Sequence, residues 1–293
     1  MTDFHRLLTG GSRFEHQRAG QGGAMETEPL SRRRAITLLS GASLAALVGC
    51  ASSNKTSAAS SSSSSSTSAA NGSSTSSSAA GASTVATEAI PEETAGPFPG
   101  DGSNGPNVLT QDGVVRSDIT SSFGSSSGTA TGVPTTIELT ITDVSKSGAP
   151  FAGAAVYAWH CDQQGRYSLY SQGATTENYL RGVQEAGADG KVTFKTIFPA
   201  AYSGRWPHVH FEVYPTLAEA TKAGTPIATS QLALPEDVCN AVYATPGYEQ
   251  SVRNMAQTSL SRDMVFSDGA DQETPIASGD VNSGITFRLT VPV

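Results

Sequence analysis

Apolar residues recur at every second position in several short runs. In TIELTITDV, from Thr136 to Val144, they set Ile137, Leu139 and Ile141 on one face of an extended chain. The same alternation links Val192, Phe194, Thr196 and Phe198, then Val209, Phe211 and Val213, and finally Ile285, Phe287, Leu289 and Val291. Ala154–His160 (AAVYAWH) is dense in strand formers. Clusters of Gly, Pro, Asn and Asp separate these runs, as turns between strands require. The pattern predicts an all-β fold, an antiparallel β-sandwich. Helical spacing is scarce and predicts only short helices, at Leu217–Ala223, Glu236–Val242 and Glu249–Thr258. No internal repeat interrupts this reading.

The front of the chain follows another pattern. Ser31-Arg32-Arg33-Arg34 precedes an apolar stretch from Ala35 to Val48, which is too short to span a bilayer as a helix. A basic segment before a short apolar one reads as an export signal, and the paired arginines as its twin-arginine form. The stretch ends Leu47-Val48-Gly49-Cys50, which resembles a bacterial lipobox and implies lipidation at Cys50. Met25 stands a normal distance before the arginines and is the expected translation start. Residues 51–87 are almost wholly Ser, Ala, Thr and Gly, a composition that cannot bury a core. Three regions are therefore expected: an extension and signal (1–50), a disordered tether (51–87) and a folded domain (88–293). The implied location is the outer face of the cell membrane, the cell wall or the surrounding medium.

Charge sharpens this division. The chain has 18 Lys and Arg against 26 Asp and Glu. Six of the arginines fall in the first 50 residues, so the remainder is strongly acidic. A nucleic-acid binder would need a basic face, and none is evident.

The chemistry gathers in two stretches. One is Trp159-His160-Cys161-Asp162-Gln163-Gln164-Gly165-Arg166-Tyr167. The other runs from Phe198 through Tyr202 and Arg205 to His208-Val209-His210. On a strand, i and i+2 share a face, so His208 and His210 can reach one metal. His160, next to Trp159, reads as a hydrogen-bonded core residue. Tyr157, Tyr170 and Tyr179 read as core or rim aromatics. Cys161 and Cys239, two cysteines in an exported domain, favour a disulfide, with two buried thiols as the alternative.

Taken together, these stretches resemble the intradiol ring-cleavage dioxygenases, the family of protocatechuate and catechol dioxygenases. The matching elements are Gly165-Arg166-Tyr167, Tyr179-Leu180-Arg181-Gly182-x-Gln184, Asp189-Gly190-x-Val192-x-Phe194-x-Thr196-Ile197-x-Pro199, Tyr202, Arg205, His208-x-His210 and Gln231. The resemblance runs from about Glu92 to Val291 and is strongest to an exported branch. It implies a non-haem Fe(3+) held by Tyr167, Tyr202, His208 and His210. Hard phenolate oxygens suit the ferric state. It also implies a catechol-type diol and O2 as substrates, a muconate-type diacid as product, and Tyr202 taking part in proton transfer. Arg205 would stabilise charge on the substrate, with Gln231 as a polar residue just outside the ligands. Phe98 occupies a place where the family commonly has an aromatic hydroxyl, and Ala200-Ala201 replaces a usual glycine before Tyr202. The resemblance leaves a homodimer open. The competing reading is a non-catalytic β-sandwich binding module on a lipid-anchored stalk, which would not need Tyr167, Tyr202, His208 and His210 together.

Overall fold

The computed structural model describes residues 88–293. The export signal, Cys50 and the serine-rich stretch 51–87 lie outside the described residues. Two sheets face each other. The first contains β1 (Pro134–Asp143), β2 (Ala149–Pro150), β5 (Lys191–Ile197), β8 (Ile276–Asp280) and β9 (Gly284–Pro292). The second contains β3 (Ala155–Trp159), β4 (Arg181–Glu185), β6 (His208–Tyr214) and β7 (Ala228–Ala233), in the order β4-β3-β6-β7. Three short helices fill connections: α1 (Leu217–Thr221), α2 (Glu236–Tyr243) and α3 (Glu249–Met255). The predicted sandwich is therefore present, with the helices close to where the spacing put them.

One feature of the pairing differs from the expectation. β1 runs antiparallel to β2 and β5 but parallel to β9, from Thr135 opposite Ile285 to Thr142 opposite Pro292. The first sheet is mixed because the chain returns, through the β8–β9 hairpin, to the open edge of β1 in the same direction. Alternation within a strand reports which face is buried and carries no information on neighbour direction.

The two sheets bury their strands differently, and this difference positions the site. β1 alternates, with Ile137, Leu139 and Ile141 inward. By contrast, all five residues of β3 and all seven of β6 are buried. Their inner side chains (Val156, Ala158, Val209, Phe211, Val213) pack with the first sheet in the main core. Burying each large apolar side chain there stabilises by about 1.5–3 kcal/mol. Their outer side chains (Tyr157, Trp159, His208, His210, Glu212, Tyr214) are covered by the segments before β1 and after β3, which form a second cluster around Val108, Leu109 and Tyr167. The histidine pair lies on this covered outer face.

The expected Cys161–Cys239 disulfide is not formed; both cysteines are free and buried. Cys161 follows β3 and belongs to the second cluster, where its thiol donates to the Ala200 carbonyl at 3.5 Å. Cys239 lies on α2 in the main core, with Leu234 O at 3.9 Å. The two side chains are thus committed to different packing layers. Peptide mapping of the full chain, alkylated in denaturant without reductant, should find Cys161 and Cys239 each carrying the alkyl label. A linked peptide pair would contradict this arrangement.

Candidate metal centre

His208 and His210 project from β6 onto the outer face, as their spacing predicts. His210 is held in a cross-strand row in which β3 places Trp159, and β7 places Gln231, directly opposite it. The Trp159 and His210 rings stack with centroids 4.9 Å apart and planes within 4°. On the exposed side Gly96 comes so close that a Cβ there would lie 3.3 Å from His210 Cε1. At His208, Nδ1 donates to the Trp206 carbonyl at 2.5 Å. That bond sets the tautomer and turns the Nε2 lone pair into the site.

The two tyrosines arrive from separate connections. Tyr167 follows a turn shaped by buried Asp162, whose Oδ1 accepts the Gln164 and Arg166 amides at 2.9 Å each. Asp162 Oδ2 accepts Arg166 Nε at 2.8 Å and the Tyr179 hydroxyl at 3.1 Å. Within the turn Gly165 has φ +81°, and a Cβ on it would lie 3.2 Å from Tyr202 Cβ. A side chain there would push the two tyrosine-bearing segments apart. Tyr202 is held from below: Ala201 donates its amide to Ser251 Oγ at 3.1 Å and accepts from Asn254 Nδ2 at 2.8 Å. The alanines before Tyr202 are both buried and so replace a glycine without opening the turn to solvent.

His208 Nε2 lies 3.4 Å from Tyr167 Oη, 3.1 Å from Tyr202 Oη and 3.1 Å from His210 Nε2. The two phenol oxygens are 3.5 Å apart. Donors that share one ion at about 2.0–2.2 Å stand about 3.0–3.5 Å from one another. The donor set therefore fits a single cation. Among the described residues no group of three or more His, Cys, Asp or Glu converges in this way, so the phenols are essential to the set.

Burial decides the charge state. It pushes His208 down to about 3 and His210 well below the usual imidazole range, with the Arg205 guanidinium acting in the same direction on both. It pushes Tyr202 up to about 12 and Tyr167 well above the ordinary phenol value. All four groups are thus neutral at pH 7 without a cation. Neutral imidazoles are ready ligands, and a highly charged ion would reverse the balance for the phenols.

Arg205 and Gln231 also come to this place. Arg205 donates through Nε to Asp263 at 2.8 Å and through Nη2 to Gln231 Oε1 at 2.7 Å. Gln231 in turn donates from Nε2 to Thr94 O at 2.7 Å. Asp263 has no signal in the sequence; it follows Ser261-Arg262 in an unremarkable loop far along the chain from Arg205. Arg181 was visible only as part of a motif. It is fully buried and donates to Phe98 O, Pro99 O, Ser168 O, Ser168 Oγ and Tyr157 Oη. It therefore ties the segment before β1 to the turn that carries Tyr167. Phe98 packs on Tyr167 and Tyr170 with centroids 5.3 and 5.1 Å away. His160 is the bonded core residue expected, with Nε2 2.6 Å from Thr196 Oγ1, and takes no part in the donor cluster.

Comparison with known proteins agrees with this geometry. Residues 105–220, which include all four donors, match the family model described as Dioxygenase. A stretch of 62 residues is 42% identical to catechol 1,2-dioxygenase 1 of Acinetobacter lwoffii, covering 21% of this chain and 20% of that protein. Another of 56 residues is 36% identical to chlorocatechol 1,2-dioxygenase of Rhodococcus opacus, covering 19% and 22%. The matches thus span about a fifth of the length of these curated relatives. The solved intradiol ring-cleavage dioxygenase of Tetranychus urticae has the same fold, with TM-score 0.55 at 22% identity over 70% of this chain and 94% of its own. Residues 105–220 are thus similar to this dioxygenase family, and the fold is that of the solved intradiol enzyme.

Three buried imidazoles make the metal-free protein acid-sensitive. Burial holds His160 at about 4 and His208 at about 3, and pushes His210 well below the usual imidazole range. Below about pH 6.5 the unfolded chain binds protons that the folded one refuses, so stability is full above that pH and is lost as pH falls towards 4. Glu212, raised to about 7 by burial, acts in the opposite sense and offsets about one imidazole. Thermal melts of metal-free protein should show Tm falling from pH 6.5 to 4.5. His160→Gln should flatten the slope by up to about 1.4 kcal/mol per pH unit. An unchanged slope would mean that His160 is protonated in the folded state.

Proposed function

We propose that this protein is a non-haem Fe(3+) intradiol dioxygenase that inserts both atoms of O2 into a catechol-type diol and releases a muconate-type diacid. The observation that carries the reading is the convergence of Tyr167 Oη, Tyr202 Oη and His210 Nε2 within 3.1–3.4 Å of His208 Nε2. Two neutral nitrogens and two phenol oxygens suit a hard trivalent ion. A binding module on a stalk has no use for such a set.

Bound by these four residues, a ferric ion supplies a Lewis acid that favours the deprotonated diol and lets the ring react with O2. The chain's own groups do the rest. Tyr202 is the less buried of the two phenols and stands 3.1 Å from His208 Nε2, so it is the group that takes a hydroxyl proton from the diol. Phe98 and Tyr167 present apolar ring surface on one side of the donor cluster. Arg205, 11% exposed, keeps its guanidinium beside the donors, where it stabilises negative charge that develops on the ring oxygens. Gln231 orients it through Oε1.

Purified protein loaded with iron should contain one ion per chain and show the red-to-burgundy absorption of tyrosinate bound to Fe(3+). With catechol under 18O2 it should yield a diacid carrying two labelled oxygens. His208→Ala and His210→Ala should each lose the iron. Full iron retention in both, or a product with a single label, would defeat the reading.

The proposal extends to location. Arg32-Arg33, the apolar stretch to Val48 and Cys50 support export as a lipid-anchored protein, with residues 51–87 as the tether. Replacing Arg32 and Arg33 by Lys should abolish surface display. Unchanged display would exclude the twin-arginine route.

A further inference from the structure

We propose that Asp263 is a positioning residue for the reaction, acting through Arg205: it locks the guanidinium so that its remaining N–H edge faces the donor cluster. The inference rests on the functional reading above. Asp263 is fully buried, and all of its hydrogen bonds come from two segments. Its Oδ2 accepts Arg205 Nε at 2.8 Å and the Trp206 amide at 2.6 Å. Its Oδ1 accepts the amides of Val265 at 2.8 Å and Phe266 at 3.2 Å. One carboxylate thus joins the loop after α3 to the two residues that lead into the His208 strand.

The consequence for Arg205 is geometric. Nε is spent on Asp263 and one Nη2 proton on Gln231. Both partners are buried, and Gln231 is itself fixed by Thr94 O. Phe266, held by the same carboxylate, lies 5.8 Å beneath the guanidinium carbon and 6.5 Å from the His208 ring. A guanidinium is planar, so two bonds to different fixed acceptors and an aromatic face define its plane. Nη1 donates to no described residue. Its protons are left for a substrate oxygen, already aimed and without reorganisation at the moment of reaction. Without Asp263 the long side chain would regain rotamers, and the charge would be present but unaimed.

Two variants separate positioning from loop capping. Asp263→Asn is isosteric but cannot accept from both segments. Asp263→Ser can still cap the Val265 and Phe266 amides, as serine does at helix starts, but does not reach Arg205. In both, kcat on catechol should fall about 10- to 100-fold, less than or similar to the loss of a preorganised donor, while KM changes by less than about threefold. Iron content and colour should be unchanged. In an Arg205→Leu background, adding Asp263→Asn should change kcat by less than about twofold, because residues acting as a unit are non-additive. A multiplied loss in the double variant, or a loss of iron in Asp263→Ser, would make Asp263 a support of the fold only. A second readout needs neither iron nor turnover. In metal-free protein the Arg205 Nε proton, assigned by its disappearance in Arg205→Lys, should exchange slowly with solvent and become fast in Asp263→Asn. Equal exchange rates would overturn the proposal, whereas an inactive parent protein with the expected exchange would overturn only the functional reading.

Discussion

The structure depends on the burial of two imidazoles on the outer face of a strand. β6 is covered on both sides, by the first sheet within and by the loop cluster without, so His208 and His210 are removed from water. A desolvated imidazole stays neutral and needs a partner for its lone pair. His208 is oriented by the Trp206 carbonyl and His210 by the stacked Trp159 ring. The two nitrogens then face each other at 3.1 Å with the tyrosine hydroxyls around them. The segment after β3, part of the cover that buries the histidines, also delivers Tyr167. Burial and ligand assembly are therefore coupled.

The two arginines near the site show how the fold manages charge there. Arg181 has no carboxylate within ion-pair distance among the described residues; its protons go to carbonyls and hydroxyls of the segments it joins. Arg205 is matched by Asp263. Removing one member of a buried pair leaves an uncompensated charge, which is commonly worse than losing the pair. The first arginine closes the cover over Tyr167. The second holds a cation beside the donor cluster in a fixed plane, where a mobile lysine would deliver only a point charge.

The backbone contributes through close approach. Gly96 and Gly165 are positions where a Cβ would meet His210 and Tyr202. Both have positive φ, so each glycine serves the turn and the contact together. The approach of the 93–100 segment to His210 is what makes the outer face an interior.

Much of this was legible in the chain. Period-two alternation identified β1, β5, β6 and β9, because one face of each meets the core. The i, i+2 spacing of His208 and His210 set them on one face, because strand geometry is local. The motif resemblance brought Tyr167, Tyr202, Arg205 and Gln231 to the same site. Other features required the tertiary structure. The parallel β1–β9 pairing is a choice of neighbour, to which alternation is blind. The separation of Cys161 from Cys239 follows from which layer each element packs into, and the count of cysteines is silent on that. Asp263 and Thr94 reach Arg205 and Gln231 across 58 and 137 residues of chain. No local pattern marks a residue whose partners are brought to it only when the loops close over the second sheet.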